Sequence, residues 1–137
     1  MTFVMSTAQR NSQVYNFTGD WDIGAGTATI EVRTGGKPAT PGDAATGTLL
    51  VTWALAEPPW GAAAGGSAAL DATPVISAVA VAAGTAGWWR AKASDGSTIG
   101  DGTAGGSGSG ADLILDNPVI ALGQTVNLAS GTVTQPA

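Results

Sequence analysis

Apolar and polar residues alternate along most of this chain with a period of two, the spacing of a half-buried strand. In "TATIEVR" Ala28, Ile30 and Val32 fall on one side, and Thr29, Glu31 and Arg33 on the other. In "TLLVTWALA" Leu49, Val51, Trp53 and Leu55 line one face. "PVISAVAVA" sets Val75, Val79 and Val81 against Ile76, Ala78 and Ala80, which predicts a strand covered on both sides. "DLILD" turns Leu113 and Leu115 inward, and "QTVNLAS" turns Val126 and Leu128 inward. The expected core is therefore Trp53 and Trp89, surrounded by Ile30, Val51, Leu113, Leu115, Val126 and Leu128.

Gly-Thr dipeptides at 26–27, 47–48, 84–85, 102–103 and 131–132 punctuate these runs at strand-like intervals. The pattern predicts an all-β chain, a single-domain jelly-roll-like β-sandwich of about eight strands over residues 20–137. Residues 1–19 read as an N-terminal arm or short helix. Within them "STAQRNSQVYNF" starts with a Ser/Thr cap and would carry Val14 and Phe17 on its apolar side. Asn and Ser inside that run weaken its helix propensity. The Pro/Gly/Ala-rich connections at 34–47, 57–74 and 102–111 read as loops. The last two are long for a compact domain, so residues 57–73 and 102–111 are expected at the periphery, ordered against neighbouring chains.

The run "GTAGWWRAKASDGS" contains the chain's one pair of adjacent tryptophans. Alternation places Trp89 with Gly87, Ala91 and Ala93 on an apolar face, and Trp88 with Arg90 and Lys92 on an outward basic face. Asp95-Gly96 supplies the positive φ of a hairpin turn. Trp88, Arg90 and Lys92, with Trp60 at the tip of another loop, are candidate protein-interface residues, because aromatics and Arg concentrate at interfaces. A sugar- or nucleotide-stacking face is the competing reading.

Composition narrows the chemistry. Charged residues are 11% of the 137, less than half of the roughly 25% usual in soluble domains. The net charge is -5 and the five basic residues are scattered, which argues against nucleic acid as a partner. There is no cysteine and no histidine, so disulfides, thiolate metal sites and the commonest general base are excluded. The start "MTFVMSTAQRN" lacks the pattern of a secretion signal, and no run is apolar enough to expect a membrane span. Asp20 and Asp22 could pair as glycosidase acids, but reading them as a solvated turn is simpler. Asp95 and Asp101 could share a weak Ca²⁺, although the spacing fits no calcium loop. The Gly-x-Gly runs precede no helix that could hold phosphate. No catalytic residue, metal ligand or cofactor site is therefore assigned.

Three segments carry a family resemblance. "GAGTATIEVRTGGKPATPGDAATGTLLVTWAL", "GTAGWWRAKASDGSTIGDGT" and "SGADLILDNPVIALGQTVNLASGTVTQPA" together resemble a group of small structural proteins encoded in tailed-bacteriophage and prophage genomes. The likeness spans roughly residues 8–137, and its motifs are structural ones. The chain departs from the group at "EPPWGAAAGG" and in the extra Gly-Ser residues at 104–110. The resemblance implies a non-enzymatic virion protein made in the host cytoplasm. The implied role is a capsid decoration (cement) protein on the capsid exterior. Its partners would be the major capsid protein and itself, as a homo-oligomer (dimer or trimer), with no nucleic acid and no membrane. The alternative is a tail or fibre component, with carbohydrate binding as one role.

Overall fold

The computed structural model describes residues 2–136. Ser6 caps helix α1 (Thr7–Gly19), its side chain accepting the Gln9 N–H at 3.2 Å. A single 3-10 turn, Asp20–Asp22, follows and buries Trp21. Ten strands come next: β1 (Thr29–Thr34), β2 (Leu49–Ala54), β3 (Ser67–Ala69), β4 (Ile76–Val79) and β5 (Gly84–Lys92), then β6 (Thr98–Gly106), β7 (Leu113–Leu115), β8 (Val119–Ile120), β9 (Thr125–Leu128) and β10 (Thr132–Thr134). The chain is mostly β, with one short N-terminal helix.

The main sheet runs β2-β1-β5-β6-β7, and β8 pairs with the start of β5. Its neighbours are antiparallel except β6 and β7, which are parallel. Two antiparallel ribbons, β3–β10 and β4–β9, complete the strand pairings. Residues paired directly across strands share a face, so the register defines the core side of the sheet. Ile30 lies between Trp53 and Ala91, and Val32 between Val51 and Trp89. Leu70, Ala80, Val126 and Leu128 of the ribbon segments join these residues in one core cluster. The buried Trp53 indole N–H donates to the Val126 carbonyl at 2.9 Å and fastens the β4–β9 ribbon to the sheet.

Alternation located most of this core. Ala28, Ile30, Val32, Val51, Trp53, Leu55, Leu115, Val126 and Leu128 are buried, and Leu113 is partly so. Leu50 also turns inward, because the pairing slips between Val32 and Arg33 and leaves Leu50 as the extra residue of a bulge. The turn after β5 uses its Asp-Gly pair as expected, with Gly96 at φ 88 closing a three-residue loop.

Three expectations are corrected. Residues 102–106 are not a peripheral loop, since β6 extends through Gly106 and pairs on both edges, and only 107–110 form an exposed turn. Gly102 is needed in β6 because a Cβ at that position would overlap the Trp89 indole. Residues 57–73 are peripheral only in part: Pro59, Ala68 and Leu70 are buried and Trp60 bridges to Leu70, while Gly61, Ala62, Ala64 and Gly65 are exposed. These segments are ordered by their own chain, so their length points to no partner. The third correction concerns β4. Its Ile76–Ala78–Ala80 side faces the core, while Val75, Val79 and Val81 are 50%, 59% and 63% exposed.

The Trp89–Gly102 fit makes a sharp test. Gly102→Ala should destabilise the chain by about 1–3 kcal/mol in urea denaturation, the usual cost of overpacking. Gly100→Ala on the same strand meets nothing within 4 Å and should change stability by less than about 0.5 kcal/mol.

Candidate functional site

Strand β5 carries the candidate interface residues, and its two faces have different surroundings. The face assignments read from alternation hold: Trp89 pairs with Val32 and Gly102 on the core side, while Trp88 pairs with Arg33 and Thr103 on the other. The burial order is reversed. Trp88 is 0% exposed, whereas Trp89 is only partly buried. No register slip causes this. The 35–48 connection covers the face that was expected to be outward. Where it leaves β1 it lies so close to β5 that a Cβ on Gly87 would overlap the Gly35 carbonyl oxygen, and further along it folds over the Arg90 side. The Asp43 carbonyl accepts from Arg90 Nη1 at 2.9 Å, and Pro38 of the same connection is buried.

Arg90 is therefore internal, at 4% exposure. Its guanidinium grips Asp101 on the paired strand through two bonds, Nε to Oδ1 at 2.7 Å and Nη2 to Oδ2 at 2.8 Å. It also lies 5.3 Å from the Trp88 ring centroid, a cation–π contact. The hydrogen bonds to Asp101 raise the Arg90 pKa against the opposing effect of burial. Beside this pair, Lys92 Nζ meets Glu31 Oε1 at 2.8 Å and Arg33 meets Glu31 Oε2 at 3.1 Å. Burial pushes the Glu31 carboxyl up, but the hydrogen bonds and charges of Lys92 and Arg33 outweigh it and hold the carboxyl below its ordinary range. Three of the five basic residues are thus ion-paired, with two carboxylates between them, within one sheet face. Trp88 and Arg90 cannot touch a partner while the 35–48 connection stays in place. Lys92 keeps part of its side chain in solvent.

Trp60 does not tip a loop. It packs edge-to-face on Trp21, with centroids 5.3 Å apart and planes at 79°. Phe17 packs on Trp21 likewise, at 6.1 Å and 71°. The helix thus turns Val14 inward as expected, but Phe17 is 40% exposed and borders a cleft of about 220 Å³. Trp21, Trp60 and Trp89 also line it, and Leu113, Asp112 and the 130–133 segment are among the other lining residues. Asp112 Oδ2 accepts from both the amide and the hydroxyl of Thr103, each at 2.9 Å. Those two bonds, helped by the charge of Lys37, hold its carboxyl below the usual range. No sequence motif marked this cleft. Phe17 and Trp21 are neighbours at the end of the helix, but Trp60 and Trp89 lie far from them in the chain and join them only through the fold.

The remaining candidates are dispersed or already engaged. Asp20 and Asp22 are exposed on either side of the buried Trp21. Asp101 is committed to Arg90, and Asp95 accepts from the Ser97 amide and hydroxyl. Among the described residues, no group of three or more acidic side chains is placed to hold a metal ion. No helix among them is long and apolar enough to cross a membrane. No protein-family model matches the chain, and neither a curated protein nor a solved structure is detectably similar to it.

The Glu31 cluster predicts a pH dependence. A carboxyl held below its unfolded value adds stability above a pH of about 4.3, and that stability is lost as the pH falls through the folded value. Glu31→Gln should cost about 1–3 kcal/mol at pH 7, the range for hydrogen bonds to charged groups. The gap to the parent should close below a pH of about 4 in denaturation series. A gap that stays constant with pH would remove the ion pairs as its cause.

Proposed function

We propose that this chain is a non-enzymatic structural subunit of a tailed-phage particle, and that it acts as a capsid decoration protein. One observation carries the structural part of this reading: a group of exposed apolar residues on two adjoining segments. The segments 79–85 and 119–124 run together, joined by Ala80 N–H to Gln124 O, Gly123 N–H to Ala80 O, and the Thr85–Val119 pairing. Val79, Val81, Val119 and Leu122 lie on these segments at 59%, 63%, 60% and 69% exposure. Scattered exposed apolar residues are ordinary, whereas a connected group marks a contact surface. The phage context comes from the resemblance of the three sequence segments to that protein group.

The pairing of charge inside the molecule supports the same reading. With Arg33, Arg90 and Lys92 bound to acids, attachment would rest on apolar contact rather than on a basic patch. Several copies linked in a dimer or trimer would turn a weak contact into a firm one by effective concentration. The jelly-roll description belongs to this proposal too: the β3–β10 and β4–β9 ribbons would stand for the second layer of the sandwich. The aromatic cleft favours the second reading, a tail or fibre component that binds a ligand.

The test is attachment. Val79→Ser, Val81→Ser and Leu122→Ser combined should leave the fold intact and weaken co-sedimentation with particles lacking the protein by at least about tenfold, as hot-spot losses do. Unchanged occupancy would remove these residues as the contact. Sedimentation with isolated tails alone would replace the decoration role with the tail role.

A further inference from the structure

The main sheet and the β4–β9 ribbon each end in a strand with a free edge, and both strands flank one groove. β7 is the last strand of the sheet and is bonded only to β6, while β9 is bonded only to β4. Residues 112–117 and 124–130 together line a groove of about 440 Å³. Among the described residues, no backbone hydrogen bond crosses from one of these segments to the other. The direction of the free groups can be read on β9. Ala80 N–H donates to Gln124 O, so residues 124, 126 and 128 turn their backbone groups toward β4. Thr125 and Asn127 turn their N–H and C=O groups the other way, where no strand meets them. A free edge is a template for a further strand, and a groove flanked by two of them offers an entering strand partners on both sides.

The chain carries a segment of matching shape. Residues 2–6, "TFVMS", precede helix α1 and belong to no helix or strand. Ser6 is extended, at φ -63 and ψ 157. Phe3 and Val4 are 75% and 68% exposed, so their own chain does not cover them. As a strand, the segment would put Phe3 and Met5 on one side and Val4 on the other. Five extended residues span about 17 Å at about 3.4 Å each, enough to run along β7 and β9, of 3 and 4 residues. Asp112 and Asp116 line the groove and would repel an acidic segment, whereas residues 2–6 carry no charged side chain. We propose that residues 2–6 of one copy enter the β7–β9 groove of a second copy and pair there as an added strand. Mutual exchange between two copies closes a symmetric dimer, and passing the arm onward around an axis closes a ring. This inference rests on no virion assignment, and the groove does not include Val79, Val81, Val119 or Leu122.

Self-association of the full chain is the readout, and two substitutions at one exposed position separate strand pairing from mere apolar contact. Val4→Pro removes a main-chain donor and bars the arm from pairing, while Val4→Thr keeps strand propensity. Circular dichroism should show both folded like the parent. The parent should sediment as an oligomer at about 100 µM. Val4→Pro should weaken that association at least about tenfold, and Val4→Thr by less than about threefold. The chain has no cysteine, so introduced thiols report contacts cleanly. A mixture of Val4→Cys and Ile114→Cys chains, treated with a short bismaleimide, should give more mixed product than either product of like chains. Oligomers that survive Val4→Pro, cross-links that are absent or mainly between like chains, or a parent that stays monomeric at about 100 µM would overturn the inference. Particle attachment is read from the Val79, Val81 and Leu122 variants, so the two readings can fail separately.

Discussion

Strand β5 must be covered on both faces, and that constraint organises the rest of the molecule. It pairs with β1 on one edge and β6 on the other, so its side chains have only the two sheet faces to occupy. On the core face the solution is steric. Trp89 needs room, and β6 yields it by carrying Gly102 directly opposite. On the other face the solution is electrostatic. Trp88 and Arg90 are sealed by the 35–48 connection, and the buried guanidinium is matched by Asp101 on the next strand. A buried charge without its partner costs several kcal/mol, so the pair and its cover depend on each other.

This arrangement decides which surfaces remain for function. A chain with 11% charged residues has placed three of its five cations inside one ion-paired layer. The basic surface that its linear order suggests does not exist as a free surface. Other features stand open, among them the exposed apolar group of Val79, Val81, Val119 and Leu122, and the cleft lined by Trp60 and Trp89. Both are products of the ribbons and the helix meeting the main sheet.

Strand periodicity was legible where one face is buried and the other wet, as at Ile30–Val32 and Val126–Leu128. It also assigned Trp88 and Trp89 to the correct opposite faces of β5. It could not show that a loop thirty-five or more residues in from the start returns to cover Trp88, because that contact is non-local. It misread 102–106 as part of a loop, because glycine lowers strand propensity even where close packing against Trp89 requires it. It missed the bulge at Leu50, which changes the inward set by one residue. The cleft was invisible for a similar reason: the Phe17–Trp21 stretch, Trp60 and Trp89 come from three separate parts of the chain.

The two-sided burial of β5 is most directly tested by acrylamide quenching of tryptophan fluorescence in the folded chain. Trp88 is 0% exposed and Trp89 borders the open cleft. Replacing Trp89 with Phe should remove a quenchable component of the emission, and replacing Trp88 with Phe should remove an unquenchable one. The opposite assignment, with Trp88 accessible and Trp89 shielded, would contradict the sealed charged layer on which this account rests.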